Sequence, residues 1–403
     1  MTVILTRPTR HREIDIVARL QAHLDREQPP TPCLVIDLPA VRVAYATLLE
    51  YMPAAEIFYA VKANPAPDVV ALLAAEGSGF DVASPAEIDL CLRSGASAST
   101  ISYGNPIKKP RDIAYAYGRG VRRFVSDSEE DLRAIAAHAP GARVMVRIAV
   151  DDRGSSCPFG KKFGCPPDAA ADLLHLAARL GLTPQGVAFH PGSQQADPEA
   201  WDRPVAAAAR IARQLRRRGI ELAAINIGGG IPVDYCDAAT PLAGLGRAID
   251  ATLARHFGAE RPALMIEPGR SLVATAGLIR SEVVRVTRRA PADDHRWVYL
   301  DVGRYGGLAE TEREAIAYPM RTSVDGGPVG PVVIAGPTCD GEDVLYQTTP
   351  YALPLALKSG DTVDLLNTGA YTASYSSHAF NGFGPLSTHC VDTTDDPDDW
   401  STR

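Results

Sequence analysis

The chain has 403 residues and a formal net charge of −7, with 46% hydrophobic and 22% charged residues, the balance of a soluble globular protein. An acidic chain does not attract a polyanion, which argues against nucleic acid or an acidic membrane surface as a partner, and 403 residues exceed one ordinary compact core. Seven cysteines with no C-x-x-C pair argue against a disulfide framework or a zinc knuckle; no metal is expected, and a reducing, cytoplasmic compartment fits.

Arg7, Arg10 and Arg12 follow only a short apolar run and precede Glu13 and Asp15, so the first residues read as a mobile tail, not a signal peptide. No apolar run approaches the length of a membrane span. Ile14, Val17, Leu20 and Leu24 recur at helical steps and predict an amphipathic helix over 13–25, stopped by Pro29, Pro30 and Pro32. Residues 33–36 form a short apolar strand.

From there one pattern repeats. β-rich runs begin near Ile57, Gly79, Thr100, Val121, Arg143, Gln185, Ala223 and Ala263, each ending in polar or glycine residues. Between them lie alanine-rich helical stretches such as 67–76, 85–94, 128–138, 167–180 and 198–218. Eight such units predict a (β/α)₈ barrel of the TIM type over 38–275; a doubly wound sheet is the alternative, because periodicity alone cannot close a barrel. After Arg270, β runs at 278–287, 296–303, 331–336 and 361–367 are separated by Gly- and Pro-containing segments. They predict a mostly antiparallel β domain over 276–403, joined by residues 1–37, with an acidic flexible tail from Asp392.

Barrel enzymes work at the C-terminal ends of their strands. Here those ends carry Lys62, Asp81, Asn105, Asp127, Arg147, His190, the triplet Gly228–Gly229–Gly230, and Glu267 with Arg270. Lys62 supplies the one amine in that set able to form a Schiff base, although a lone lysine at a strand end is more often surface decoration. A flat imidazole such as His190 can stack on an aromatic cofactor, although most lone histidines are satisfied core residues. Ser193 can donate to a phosphate or merely shape a turn. Glycine N–H groups can approach phosphate oxygens closely, and phosphate sites near strands seven and eight are frequent in barrels. The Glu267 carboxylate can pair with a protonated pyridine nitrogen and Arg270 can hold a phosphate; a local salt bridge is the plainer alternative. In GPTCDGED (336–343), Cys339 stands beside Asp340; nearby acids do not favour a thiolate, so it is not read as a nucleophile. Tyr371 and Phe380 lie in GAYTASYSSHAFNGF (369–383), where aromatics are as often core as cofactor contacts.

YAVKAN, FDVAS with Glu87, FHPGS, GGGIP, EPGR, GPTCDGED and GAYTASYSSHAFNGF occur in this order across residues 33–385. The set resembles the fold-type III pyridoxal-5′-phosphate (PLP) decarboxylases, which act on ornithine, lysine, arginine and diaminopimelate, and GPTCD is closest to the ornithine/lysine branch. The resemblance implies that Lys62 holds PLP, that His190 stacks on its ring and that Glu267 pairs with its nitrogen. It implies phosphate ligands in Ser193, Gly229, Gly230, Arg270 and Tyr371, with Asp81 and Arg147 near the cofactor. Cys339 is implied to protonate the carbon that lost CO₂. Asp340 is implied to bind the substrate's distal ammonium, with Glu310 as the further acid and Glu314 second, and Phe380 beside them. A homodimer with shared sites, built by the GPTCD loop entering the partner's site, is also implied. L-Ornithine to putrescine is the first expectation and L-lysine to cadaverine the second; a diaminopimelate-type decarboxylase, a PLP racemase and a decarboxylase-like regulator are the rivals. One departure is His190-Pro191-Gly192-Ser193-Gln194, where ornithine decarboxylases often read His-Val-Gly-Ser-Gly.

Overall fold

The computed structural model describes residues 11–158, 162–236, 241–349 and 351–392. The expected N-terminal tail, and the acidic one beyond Asp392, lie outside the described residues. The chain divides into two compact units: residues 44–232 with 239–269, and residues 1–43 with 233–238 and 270–403.

The first unit is a closed parallel barrel of eight strands. They are Ala55–Ala60, Gly79–Val82, Ile101–Tyr103, Arg123–Ser126, Arg143–Arg147, Thr183–Ala188, Ala224–Asn226 and Ala263–Ile266. The last closes on the first in parallel register, Leu264 opposite Ala55 and Ile266 opposite Ile57. The strands are short and apolar because helices cover their outer face while side chains fill the inner one. Phe58, Val125, Met145, Ala188, Ala224 and Met265, from six different strands, form one buried cluster. Burying a side chain such as Phe58 contributes about 1.5–3 kcal/mol. Prolines start the helices Pro67–Ala75, Pro85–Arg93, Pro110–Gly118 and Pro167–Arg179, where the missing N–H costs no intrahelical bond. The helix expected over 198–218 is split into a 3₁₀ turn, Pro198–Trp201, and an α-helix, Asp202–Arg216. The split follows from Asp197, whose carboxylate accepts the Glu199 N–H at 2.9 Å and caps the short turn, while Trp201 is buried beneath it.

Lys108, which no sequence pattern singled out, pins the loop after the third strand. Its side chain is fully buried, and Nζ donates to Asp131 at 2.8 Å and to the carbonyls of Asn105, Pro106 and Val125 at 3.0, 3.2 and 2.8 Å. Asp131→Ala leaves that ammonium buried without its counter-charge, and the expected loss is about 3–5 kcal/mol of stability. Denaturant titration of the variant checks this; a midpoint equal to that of wild type refutes it.

In the second unit the helix His11–Glu27 lays Val17, Leu20 and Leu24 against Cys33, Val35, Leu278 and Leu366. The strand Cys33–Asp37 joins the sheet of this unit, antiparallel to Gly277–Thr287 and parallel to Ser387–Val391. The sheet continues from Gly277–Thr287 to Thr362–Leu366 on one side and Arg296–Leu300 on the other. It is mostly antiparallel; besides the first strand, Arg296–Leu300 and Val329–Ala335 pair in parallel. Arg280 reaches the buried Asp364 at 2.8 Å and ties neighbouring strands together.

Candidate active site

At the C-terminal end of the barrel, the first strand runs into a 3₁₀ turn, Val61–Ala63, in which Val61 and Ala63 are buried and Lys62 is left exposed. The turn needs a residue whose stem leaves the core, and lysine supplies one with an amine at its tip. Lys62 Nζ lies 3.6 Å from Oδ2 of Asp81, at the end of the second strand. Asp81 is 7% exposed and its Oδ1 has no hydrogen-bond partner. It packs where Gly104 has no side chain, since a Cβ at 104 would stand 1.9 Å from Oδ1. Burial holds the Asp81 carboxyl above its ordinary range, with Lys62 and Arg147 pulling the other way.

Across the same mouth, Glu267 follows the eighth strand. Burial, with the nearby Asp81, pushes its carboxyl up to about 7 against the lowering charge of Lys62. Asn226, fully buried at the end of the seventh strand, donates to Glu267 through Nδ2 and accepts the Gly228 N–H at 2.9 Å through Oδ1. One amide thus sets both the carboxyl and the first glycine of the triplet. Sequence reasoning missed Asn226, although a polar residue inside the apolar run INI was a usable signal.

His190 follows the sixth strand. Its Nδ1 accepts the Gly192 N–H at 3.1 Å, which leaves the ring proton on Nε2. Burial, then the charges of Lys62 and Arg147, hold the imidazole well below its ordinary value, so it is neutral. The glycine triplet packs against this segment. A Cβ at Gly228 would stand 2.5 Å from the Phe189 carbonyl, one at Gly229 would stand 3.2 Å from His190 Nε2, and one at Gly230 would stand 2.4 Å from the Gly192 carbonyl. Gly228 and Gly230 also hold φ of +69° and +84°. Ser193 opens a short strand, Ser193–Gln195, paired with Ser155–Cys157. Arg147 closes the fifth strand with its guanidinium 4.8 Å from the Phe163 ring centre. A cavity of about 860 Å³ elsewhere in this unit, lined by Arg153, Arg203 and Arg255 among others, contains none of the expected site residues.

The remaining expected residues belong to the second unit. Arg270 is 4% exposed, donates to both oxygens of Glu310 at 2.6 and 2.8 Å and to the Tyr235 hydroxyl at 3.0 Å, and stands 4.8 Å from the Tyr371 ring centre. Glu310, expected to face the substrate, therefore spends both oxygens on Arg270. Glu314, the second choice, accepts the N–H groups of Thr348 and Thr349. Cys339 is exposed, Asp340 Oδ1 accepts the Glu342 N–H at 2.8 Å, and Phe380 is 37% exposed with its ring 4.9 Å from that of Tyr305.

A parallel barrel presenting a lysine amine, a buried acid that can meet a pyridinium, a neutral flat imidazole and a glycine cradle is a pyridoxal phosphate enzyme by its donor set. The chain belongs to the pyridoxal-dependent decarboxylases: residues 38–274 match the family model described as the pyridoxal binding domain of that family. It is 37% identical over 355 residues, 88% of each chain, to the lysine/ornithine decarboxylase of Selenomonas ruminantium. A solved structure of SrLDC in complex with PLP and cadaverine is 35% identical, with TM-score 0.83, covering 94% of both chains. The lysine/ornithine decarboxylase of Vibrio vulnificus complexed with cadaverine is 31% identical, with TM-score 0.84, covering 93% of this chain and 98% of that one.

Proposed function

We propose that the protein decarboxylates L-ornithine to putrescine, with L-lysine to cadaverine as its second reaction, in the cytoplasm and in the service of polyamine supply. The carrying observation is the charge set of Lys62, Asp81 and Glu267 at one barrel mouth, with Lys62 Nζ 3.6 Å from Asp81. The names of the relatives, lysine/ornithine decarboxylases in particular, support the choice of substrates.

The residues present fit PLP: Asp81 keeps an orphaned buried oxygen beside an amine, and the glycine cradle has no room for side chains. When bound, PLP supplies an electron-poor ring that accepts the electrons released as CO₂ leaves. Lys62 is the amine that holds its aldehyde, and Asp81 keeps positive charge close to that amine. Glu267, fixed by Asn226, would be the carboxyl that pairs with the ring nitrogen. Neutral His190 offers a flat face without placing a charge against the ring. The N–H groups of Gly229 and Gly230, the Ser193 hydroxyl, Arg270 and Tyr371 bind phosphate, and Arg147 supports the site electrostatically. Cys339 returns a proton to the carbon that lost CO₂. Asp340 binds the distal ammonium with Phe380 beside it; Glu310 can share that work only by giving up Arg270, which costs a buried charge pair. The active form is a homodimer in which the loop 336–343 serves the partner's site.

Release of CO₂ across ornithine, lysine, arginine and diaminopimelate tests the assignment. Ornithine is expected to give the highest kcat/KM and lysine the next, because one methylene is worth only about 1–3 kcal/mol of discrimination. A preference for diaminopimelate, or a change of chirality without CO₂ release, overturns it.

A further inference from the structure

The loop 336–343 is held from two sides within its own unit. From below, Asp343, 1% exposed, accepts the Arg304 N–H at 2.8 Å, the Thr338 N–H at 3.2 Å and the Thr338 hydroxyl at 2.7 Å. The fit is tight enough that a Cβ at Gly303 or Gly336 would come within 2.2 or 2.3 Å of its oxygens. From above, Asn381 reaches across 42 residues of sequence, and its Oδ1 accepts both the Cys339 N–H at 3.0 Å and the Cys339 thiol at 3.3 Å. Asn381 sits at φ +52° between Ala379 at +56° and Gly382 at +81°. Two non-glycine residues at positive φ strain this turn, and asparagine is among the few side chains that tolerate it. The Tyr305 ring packs against Phe380 at a tilt of 49°, with centroids 4.9 Å apart, and its backbone carbonyl accepts the Ser377 N–H at 2.9 Å, which fixes the turn to the segment that carries Arg304.

We infer that Asn381 is the positioning residue of Cys339: its side-chain oxygen accepts the thiol hydrogen and fixes its direction. The inference rests on the proposed role of Cys339 as proton donor. In that step the S–H bond breaks and a C–H bond forms at the carbon that lost CO₂. The S–H electron pair stays on sulfur, and water later returns the proton. A neutral amide oxygen suits this task, because it accepts from the thiol and has no proton of its own to give to the reacting carbon. Without the bond, the thiol loses its orientation.

The test compares Asn381→Ala, Asn381→Asp and Cys339→Ala in the full-length holoenzyme. The first readout is the rate of iodoacetamide alkylation at Cys339, followed by peptide mass spectrometry without substrate. Loss of one hydrogen bond to the thiol corresponds to about a fivefold change, so Asn381→Ala is expected to react about fivefold faster. Asn381→Asp keeps an acceptor and the backbone tolerance but opposes the thiolate with a negative charge, so it is expected to react more slowly than wild type. A purely structural role loosens the loop in both variants and speeds both; that result, or no change in either, overturns the inference. The second readout is the ratio of amine to aldehyde formed from ornithine, aldehyde being the product when the proton goes to the wrong carbon. Asn381→Ala and Cys339→Ala are both expected to raise the aldehyde share. If Cys339→Ala raises it and Asn381→Ala does not, Asn381 has no such role. If Cys339→Ala leaves the amine as sole product, the role of Cys339 as donor falls, and the alkylation rates still decide whether Asn381 holds the thiol.

Discussion

Replacing Lys62 by Ala is expected to abolish the long-wavelength absorbance of lysine-bound pyridoxal and to reduce decarboxylation by at least about 10²–10⁴-fold, the range typical of a positioned acid–base group. The reduction is expected to exceed that range because Lys62 is also the residue proposed to hold the cofactor covalently. The amine is 3.6 Å from Asp81, on a turn whose neighbours are buried, so truncation removes the nucleophile without disturbing the apolar strand that presents it. The side chain is exposed, which makes a large stability loss unexpected and keeps the experiment interpretable. Borohydride reduction of the wild-type holoenzyme is the companion measurement: the label belongs on Lys62, and a label elsewhere, or none, removes the basis of the proposed chemistry.

Much of the barrel was legible because each strand is a short apolar run ending in polar or glycine residues and because prolines mark helix starts. Closure was not legible from periodicity, since it depends on the eighth strand finding the first, with Leu264 beside Ala55 at a separation no local pattern reports. Residue types at the strand ends announced Lys62, His190 and Glu267. What held them did not appear, because Asn226 looks like one polar letter in an apolar strand and its two hydrogen bonds point to other segments. The acids of the second unit show the same limit. Asp340 and Asp343 lie three apart in GPTCDGED, but only the structure separates a half-exposed carboxylate from a buried one that organises the loop. Glu310 was named as the further distal acid that the resemblance implies, while its partner Arg270 stands 40 residues away.

Glu267→Gln is expected to lower kcat by about 10²–10³, the loss seen when one preorganised charge-stabilising group is removed from an active site. Glutamine keeps the acceptor for Asn226 and nearly the same volume, so the change isolates the charge of the carboxyl. The same variant exposes a pH effect in cofactor-free protein. The folded-state carboxyl is raised from 4.5 to about 7 by burial and by Asp81. Between those values the folded chain keeps a proton that the unfolded chain has released. Stability therefore falls as pH rises from the ordinary carboxylate value, and the fall levels off above about 7, with a total on the order of a few kcal/mol. Glutamine does not titrate, so wild type should lose more stability than Glu267→Gln between pH 5 and 8, measured by denaturant midpoints of the apo forms. If PLP pairs with Glu267 as proposed, added PLP should by mass action restore the wild type more at pH 8 than at pH 5. Parallel losses in the two apo proteins would mean that some other buried group carries the pH dependence, and that Glu267 is already charged before the cofactor arrives.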